Sequence, residues 1–288
     1  MTEYGMQSFP SMSMVESFTH EKDRSIDSDV MNAHQKASLG TGNLMKYLED
    51  YYRVNDDFES IVGLSQIMQA EAIRFAVEAH RRNMPYCMGT LYWQFNDCWP
   101  VISWSSIDYG GNWKALHYAA RKFFSPILVS IRDLNDKIEI HVINDQHHEV
   151  ISEIRLGLFN LNGDILFKDS FEINVEPFSS TIYRAFDKND FLGGIDLSAT
   201  VFRAELFVGG KVLSRAHQFF RRPKYLSIPS PEFDYKIERV RGKYVITIKS
   251  KSFLCQVHLI SIKVRGVFSD NYFDMLPGEV QMIDFEPS

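Results

Sequence analysis

Residues 88–104 read MGTLYWQFNDCWPVISW. From Met88 to Phe95 the run is apolar and aromatic and of strand length, which predicts a strand buried on both sides. Two helical patterns flank it. Upstream, QIMQAEAIRFAVEAHRRN (66–83) sets Ile67, Ala70, Ile73, Ala76, Val77 and His80 at three- and four-residue spacing. That is one buried face of an amphipathic helix, closing with Arg81 and Arg82 near its negative end. Downstream, NWKALHYAARKFF (112–124) predicts a second helix, with Asn112 as N-cap and Pro126 as stop. Helix, buried strand, loop, helix is the order of a parallel α/β structure.

Past Pro126 the period changes from helical to two. Ile138, Ile140 and Val142 alternate with Glu139 and His141, and Ile154, Leu156 and Leu158 alternate with Arg155 and Gly157. Asn162-Gly163 and Gly209-Gly210 mark tight hairpin turns. Residues 125–222 have the size of one immunoglobulin-like β-sandwich, about 100 residues. Arg221-Arg222-Pro223-Lys224 reads as a linker. Tyr244–Ile248 and Val257–Ile262 predict strands of a second β domain over 223–288, short for a sandwich and expected to lack a last strand. Three domains are therefore expected, at 1–124, 125–222 and 223–288.

Bulk properties exclude several roles. The 288 residues are 45% hydrophobic with a net charge of -6, the wrong sign for a phosphate backbone, so no nucleic-acid partner is expected. No apolar window spans a bilayer, so no membrane partner is expected, and no signal peptide is visible. Cys87, Cys98 and Cys255 have no metal-ligand spacing and form no disulfide framework. No metal site or cofactor is expected. All four tryptophans, Trp93, Trp99, Trp104 and Trp113, are crowded together, and the last 175 residues have none. That crowding suggests a local task.

Two constellations carry candidate chemistry. Glu3 lies in MTEYGMQSFPS (1–11), where Tyr4, Met6 and Phe9 are expected to surround the carboxylate with apolar surface. Gly5 permits close backbone approach. A carboxylate held rigidly at a strand end suits the nucleophile of a retaining glycosidase; a lone glutamate near a terminus is otherwise ordinary solvated surface. The second constellation is Trp93, Asn96, Asp97 and Trp99. Sugar rings stack their C–H faces on indole, and their hydroxyls take amide and carboxylate partners. A tryptophan-rich core plug with Asn96-Asp97 as a turn explains the same spacing equally well.

Thr2-Glu3-Tyr4-Gly5-Met6-Gln7-Ser8-Phe9-Pro10-Ser11 resembles the nucleophile segment of the β-mannosidases of glycoside hydrolase family 2. Gly89-Thr90-Leu91-Tyr92-Trp93-Gln94-Phe95-Asn96-Asp97-Cys98-Trp99-Pro100 is similar to that family's eighth barrel strand and its loop. His34-Gln35-Lys36 and Gly42-Asn43 resemble its loop after strand seven. Asp108-Tyr109 with Gly111-Asn112-Trp113-Lys114-Ala115-Leu116-His117-Tyr118 resembles the lead into its last barrel helix. The four motifs stand in family order over the first 125 residues, and the β part, with Phe268-Ser269-Asp270-Asn271-Tyr272-Phe273-Asp274, fits the family's C-terminal sandwiches. The resemblance implies an α/β plus all-β chain: the last two β/α units of a truncated TIM barrel, then one or two immunoglobulin-like β-sandwich domains.

By the same resemblance Glu3 aligns with the catalytic nucleophile, and Trp93 with the floor under the sugar. Asn96, Asp97 and Trp99 align with the loop lining the pocket. Lys114, His117 and His34 take packing roles. The implied partner is a β-mannoside oligosaccharide or glycan, acted on at its non-reducing end, and the family's members are secreted, periplasmic or lysosomal. The family's acid/base glutamate, in an Asn-Glu motif on barrel strand four, has no counterpart in these residues. A whole barrel takes about 250 residues. The expectation is a C-terminal fragment that is inactive alone, with a sandwich that folds by itself and a looser 1–124. The alternatives are a related β-galactosidase, β-glucuronidase or exo-glucosaminidase, and a non-catalytic carbohydrate-binding or interaction module.

Overall fold

A computed structural model describes residues 1–288. The chain is mostly β-sandwich, preceded by a helical unit. Five helices build that unit: α1 (Met12–Glu16), α2 (Asp29–Ala33), α3 (Gly40–Tyr51), α4 (Phe58–Arg82) and α5 (Ala115–Phe123). α4 is longer than the pattern predicts, because Asp57 caps it by accepting from the Ser60 N–H at 2.9 Å. Of its predicted buried face, Ala70, Ile73 and Val77 are buried, while Ile67, Ala76 and His80 are half-buried. α5 starts three residues later than expected. Asn112 is not its cap, because its amide donates instead to Asp108 at 3.1 Å and to Ser11 at 3.0 Å, closing the preceding turn.

The strand expected over 88–95 is reduced to a parallel bridge between Tyr92 and Tyr4. Leu91 N–H donates to Met1 O at 3.2 Å and Trp93 N–H to Tyr4 O at 2.7 Å, and the end of the run pairs with 104–107, where Gln94 N–H donates to Trp104 O at 3.0 Å and Ile107 N–H to Phe95 O at 2.9 Å. Burial on both sides is overturned, since Leu91, Trp93 and Phe95 are 66%, 47% and 60% exposed. The physical reason is that no element packs over the face carrying Leu91, Trp93 and Phe95. Barrel architecture therefore rests here on the helices and on isolated bridges.

The β part is built as its alternation predicts. β1 (Ile127–Asp133), β2 (Lys137–Asn144) and β5 (Ser179–Asp187) form one sheet in the order β1-β2-β5. β3 (Val150–Asn160), β4 (Ile165–Val175), β6 (Thr200–Val208) and β7 (Lys211–Phe219) form the facing sheet, β4-β3-β6-β7. Ile138, Ile140, Val142, Ile154, Leu156 and Leu158 all point into one shared core. The β6–β7 turn has Gly209 at φ 58° and Gly210 at φ 78°, a left-handed pair that side chains resist. Glu139 and His141, on the opposite face of β2, are also buried.

The last unit carries the sheet β11-β13-β9-β8, from β8 (Phe233–Val240), β9 (Lys243–Ser250), β11 (Gly266–Phe268) and β13 (Val280–Pro287). A two-stranded sheet, β10 (Leu254–Val257) with β12 (Phe273–Met275), faces it. The strand predicted over 257–262 is corrected: β10 stops at Val257, and Ile262 is 92% exposed. Two features end it. Gln256 takes a left-handed φ of 52°, and the Asn271 side chain occupies both backbone groups of Leu259, at 2.8 and 2.9 Å.

Polar clamps join the three units. Glu78 of α4 accepts from Arg74 at 3.1 Å and from Ser130 of β1 at 2.5 Å, with Arg82 at 3.5 Å. Arg81 reaches Asp145 at 2.8 Å. The last unit meets β6 and β7 through Arg203–Glu279 and His217–Asp274, and meets α5 through Lys122–Asp270.

Candidate active site

Two segments make the site, and α4 holds both. The Glu3–Pro10 segment runs beside the 88–95 segment at the Tyr4–Tyr92 bridge and then pairs with 102–104, where Ser8 N–H donates to Ser103 O at 2.9 Å. Gln69, fully buried on α4, donates to Met6 O at 2.8 Å and to Ser105 O at 3.3 Å, so one amide reads the backbone of both segments. Its Oε1 accepts from Ser8 Oγ at 2.8 Å. Ser65 Oγ accepts from Phe9 N–H at 3.0 Å. Apolar periodicity marks α4 as a core helix and passes over this polar stripe; Ser65, Gln66 and Gln69 at helical spacing are the signal in the sequence.

Glu3 is exposed, and the apolar surround expected for it is not present. A two-residue period explains why. Tyr4 and Met6 turn to the opposite side, where Tyr4 Oη meets Thr90 Oγ1 at 2.7 Å, while Phe9 is fully buried below. Partial burial pushes the Tyr4 phenol up. Gly5 is where the two segments come closest: a Cβ there would stand 2.9 Å from Cδ1 of Trp104 and closer still to Trp93 O.

Trp93 is thereby held one hydrogen bond from Tyr4, beside Glu3 in the chain, with its indole half exposed. The Trp93–Gln94 peptide is cis. Asn96 and Trp99 are also exposed, Trp99 by 36%. Asp97 differs from them. Its carboxylate is buried and already engaged, accepting from Gln94 Nε2 at 3.1 Å and Ser103 Oγ at 2.6 Å, with Lys36 Nζ at 3.7 Å. It braces the loop from within. His34 is a packing residue, stacked on Phe18 at 3.9 Å and tilted against Trp99 at 5.5 Å, with Nδ1 2.6 Å from Pro100 O.

Below the loop lies Lys114, 1% exposed, whose Nζ has no hydrogen-bond partner. Burial drives its pKa down to about 7, against the pull of Asp97 and Asp108. Asp108 accepts from Ser11 Oγ at 2.6 Å and from Asn112 N–H at 2.9 Å. No group of three His, Cys, Asp or Glu side chains is placed to hold a metal ion.

Comparisons with known proteins bear on the fold. Residues 136–225 match a Mannosidase Ig/CBM-like domain and residues 228–288 an Ig-fold domain. The chain is 28% identical to β-mannosidase B of Emericella nidulans, over 98% of this chain and 35% of that protein. It is 33% identical to a Capra hircus β-mannosidase over 54% of this chain and 20% of that one. A crystal structure of β-D-mannosidase from Dictyoglomus thermophilum superposes with a TM-score of 0.92 at 28% identity, covering 99% of this chain and 35% of that one. An exo-chitosanase from Amycolatopsis orientalis, at TM-score 0.79 and 17% identity, shares the fold. The chain spans roughly a third of the length of the β-mannosidases it matches over nearly all its residues. It is a homologue of the β-mannosidases and corresponds to the C-terminal portion of a glycoside hydrolase family 2 enzyme of that kind.

Proposed function

We propose that these residues form one side of a β-mannoside site, with residues 1–124 as the closing part of a catalytic barrel and the two β units as its supports. Glu3 is the nucleophile, Trp93 the floor beneath the sugar, and Asn96 and Trp99 the wall. Asp97 works from behind, fixing the loop. The observation that supports this reading is the Tyr4–Trp93 backbone hydrogen bond, which ties the segment carrying an exposed carboxylate to the one carrying an exposed indole. In a retaining mechanism Glu3 attacks the anomeric carbon as the glycosidic oxygen leaves with a proton from an acid, and water then releases the mannosyl ester.

Nothing near Glu3 in these residues serves as that acid. Asp97 is locked in its own hydrogen bonds and the other carboxylates near the site, such as Asp108, are equally committed. General acid help is worth about two to four orders of magnitude, so the 288 residues alone turn over no unactivated mannoside at a useful rate. The test is a panel of 4-nitrophenyl β-glycosides assayed with this chain and with one extended upstream by a whole barrel. Mannosidase activity in the longer chain alone, abolished by Glu3→Gln, is the expected outcome. Full activity in the short chain, or preference for a β-galactoside, β-glucuronide or β-glucosaminide, contradicts it.

A further inference from the structure

Lys114 is a buried cation beneath the site loop, and it feels the charge of a buried carboxylate tied to each site segment. From the 94–104 loop comes Asp97, which Gln94 and Ser103 fasten to the Trp93–Trp99 stretch. From the 107–113 turn comes Asp108, which holds Ser11 at the end of the Glu3 segment through both Ser11 N–H, at 3.2 Å, and Ser11 Oγ, at 2.6 Å. Lys36 Nζ also stands 3.7 Å from Asp97. His117, one turn along α5, is turned to Ser106 Oγ at 3.3 Å and to the Trp113 ring. No acceptor satisfies Lys114 Nζ itself. A buried ammonium without an acceptor is costly, and an apolar side chain of the same length fills the same space without that cost. What lysine adds at position 114 is charge.

We propose that Lys114 is a positioning residue whose ammonium draws Asp97 and Asp108 toward one point, and so sets the Trp93–Trp99 loop against the Glu3 segment. The frame depends on the proton. With Nζ charged, both carboxylates are compensated from within. With Nζ neutral, they face each other across an amine, Asp97 retains Lys36, and the tryptophan loop relaxes away from Ser11. Burial brings the loss of that proton to about pH 7, with Asp97 and Asp108 opposing it.

This inference rests on the reading of Glu3 and Trp93 as a sugar site, yet its test measures loop placement without activity. The four tryptophans lie between residues 93 and 113, so intrinsic fluorescence of the 288-residue chain reports on this region alone. Titration is expected to give an emission change centred near pH 7. Lys114→Met is expected to lose it. Lys114→Arg, which keeps its charge throughout, is expected to hold the low-pH spectrum. Asp97→Asn removes a carboxylate that favours the ammonium, so its midpoint is expected to fall by about one pH unit. A midpoint that persists in Lys114→Met or Lys114→Arg belongs to another group and overturns the proposal, as does a wild-type chain without one. If Lys114→Met does not fold, the other two variants decide, and an unmoved midpoint in Asp97→Asn overturns it. Failure here leaves the mannosidase reading standing, whereas an extended chain indifferent to Glu3→Gln removes that reading and leaves this titration unchanged.

Discussion

A methyl group at position 5 would meet Cδ1 of Trp104 at 2.9 Å and press on the carbonyl of Trp93, neither of which is the free end of a flexible side chain. Gly5 therefore sets the spacing between the segment that carries Glu3 and the one that carries Trp93. Gly5→Ala is expected to destabilise the chain by about 1–3 kcal/mol, the usual range for overpacking, and to shift the tryptophan emission. Urea unfolding followed by fluorescence checks both, and a variant matching wild type in stability and spectrum contradicts the assignment. The close approach was legible in the sequence as a glycine two residues from an acid. Its partner was not, because no local pattern in residues 1–11 names Trp104, nearly a hundred positions away.

Among the elements, α4 has the largest share of the work. Its buried face is divided: Ile73 and Val77 pack against α5, Ser65 and Gln69 hold the site segments, and Glu78 clamps the helix to β1. Glu78→Ala leaves Arg82 buried beside Ser130 without its carboxylate and is expected to cost about 3–5 kcal/mol. A loss below about 1 kcal/mol by denaturant unfolding would show that solvent replaces the ion pair. The hairpins at Asn162-Gly163 and Gly209-Gly210 were legible because turn residues and alternation are both local signals. Residues 88–95 were not, since an apolar run looks the same whether neighbours cover it or leave it open. The stretch 257–262 failed for a similar reason: its alternation is strand-like, but Asn271 supplies the hydrogen bonds a partner strand would.

Across the whole molecule, the last β unit is joined to the sandwich by carboxylates that answer to pH. Burial alone raises the pKa of Glu279, but Arg203 outweighs it and holds the carboxyl below the usual glutamate range. A depressed carboxyl stabilises the fold fully above its unfolded pKa, about 4.3, and loses that contribution as pH falls through the folded value. Asp274 behaves likewise, its burial overcome by His217 and the Gln256 N–H. Glu279→Gln is therefore expected to lower Tm at pH 7 and to match wild type near pH 3. A Tm difference that stays constant between these limits contradicts the clamp.

The same scale contains the central claim, that Glu3 attacks a mannoside when the rest of a barrel surrounds it. The direct measurement treats the barrel-extended chain with 2,4-dinitrophenyl 2-deoxy-2-fluoro-β-D-mannopyranoside, whose leaving group needs no acid, and maps the trapped sugar by peptide mass spectrometry. One mannosyl ester on the peptide containing Glu3, absent from Glu3→Gln, is the predicted result. A label on another carboxylate, or an unchanged label in Glu3→Gln, would contradict the account.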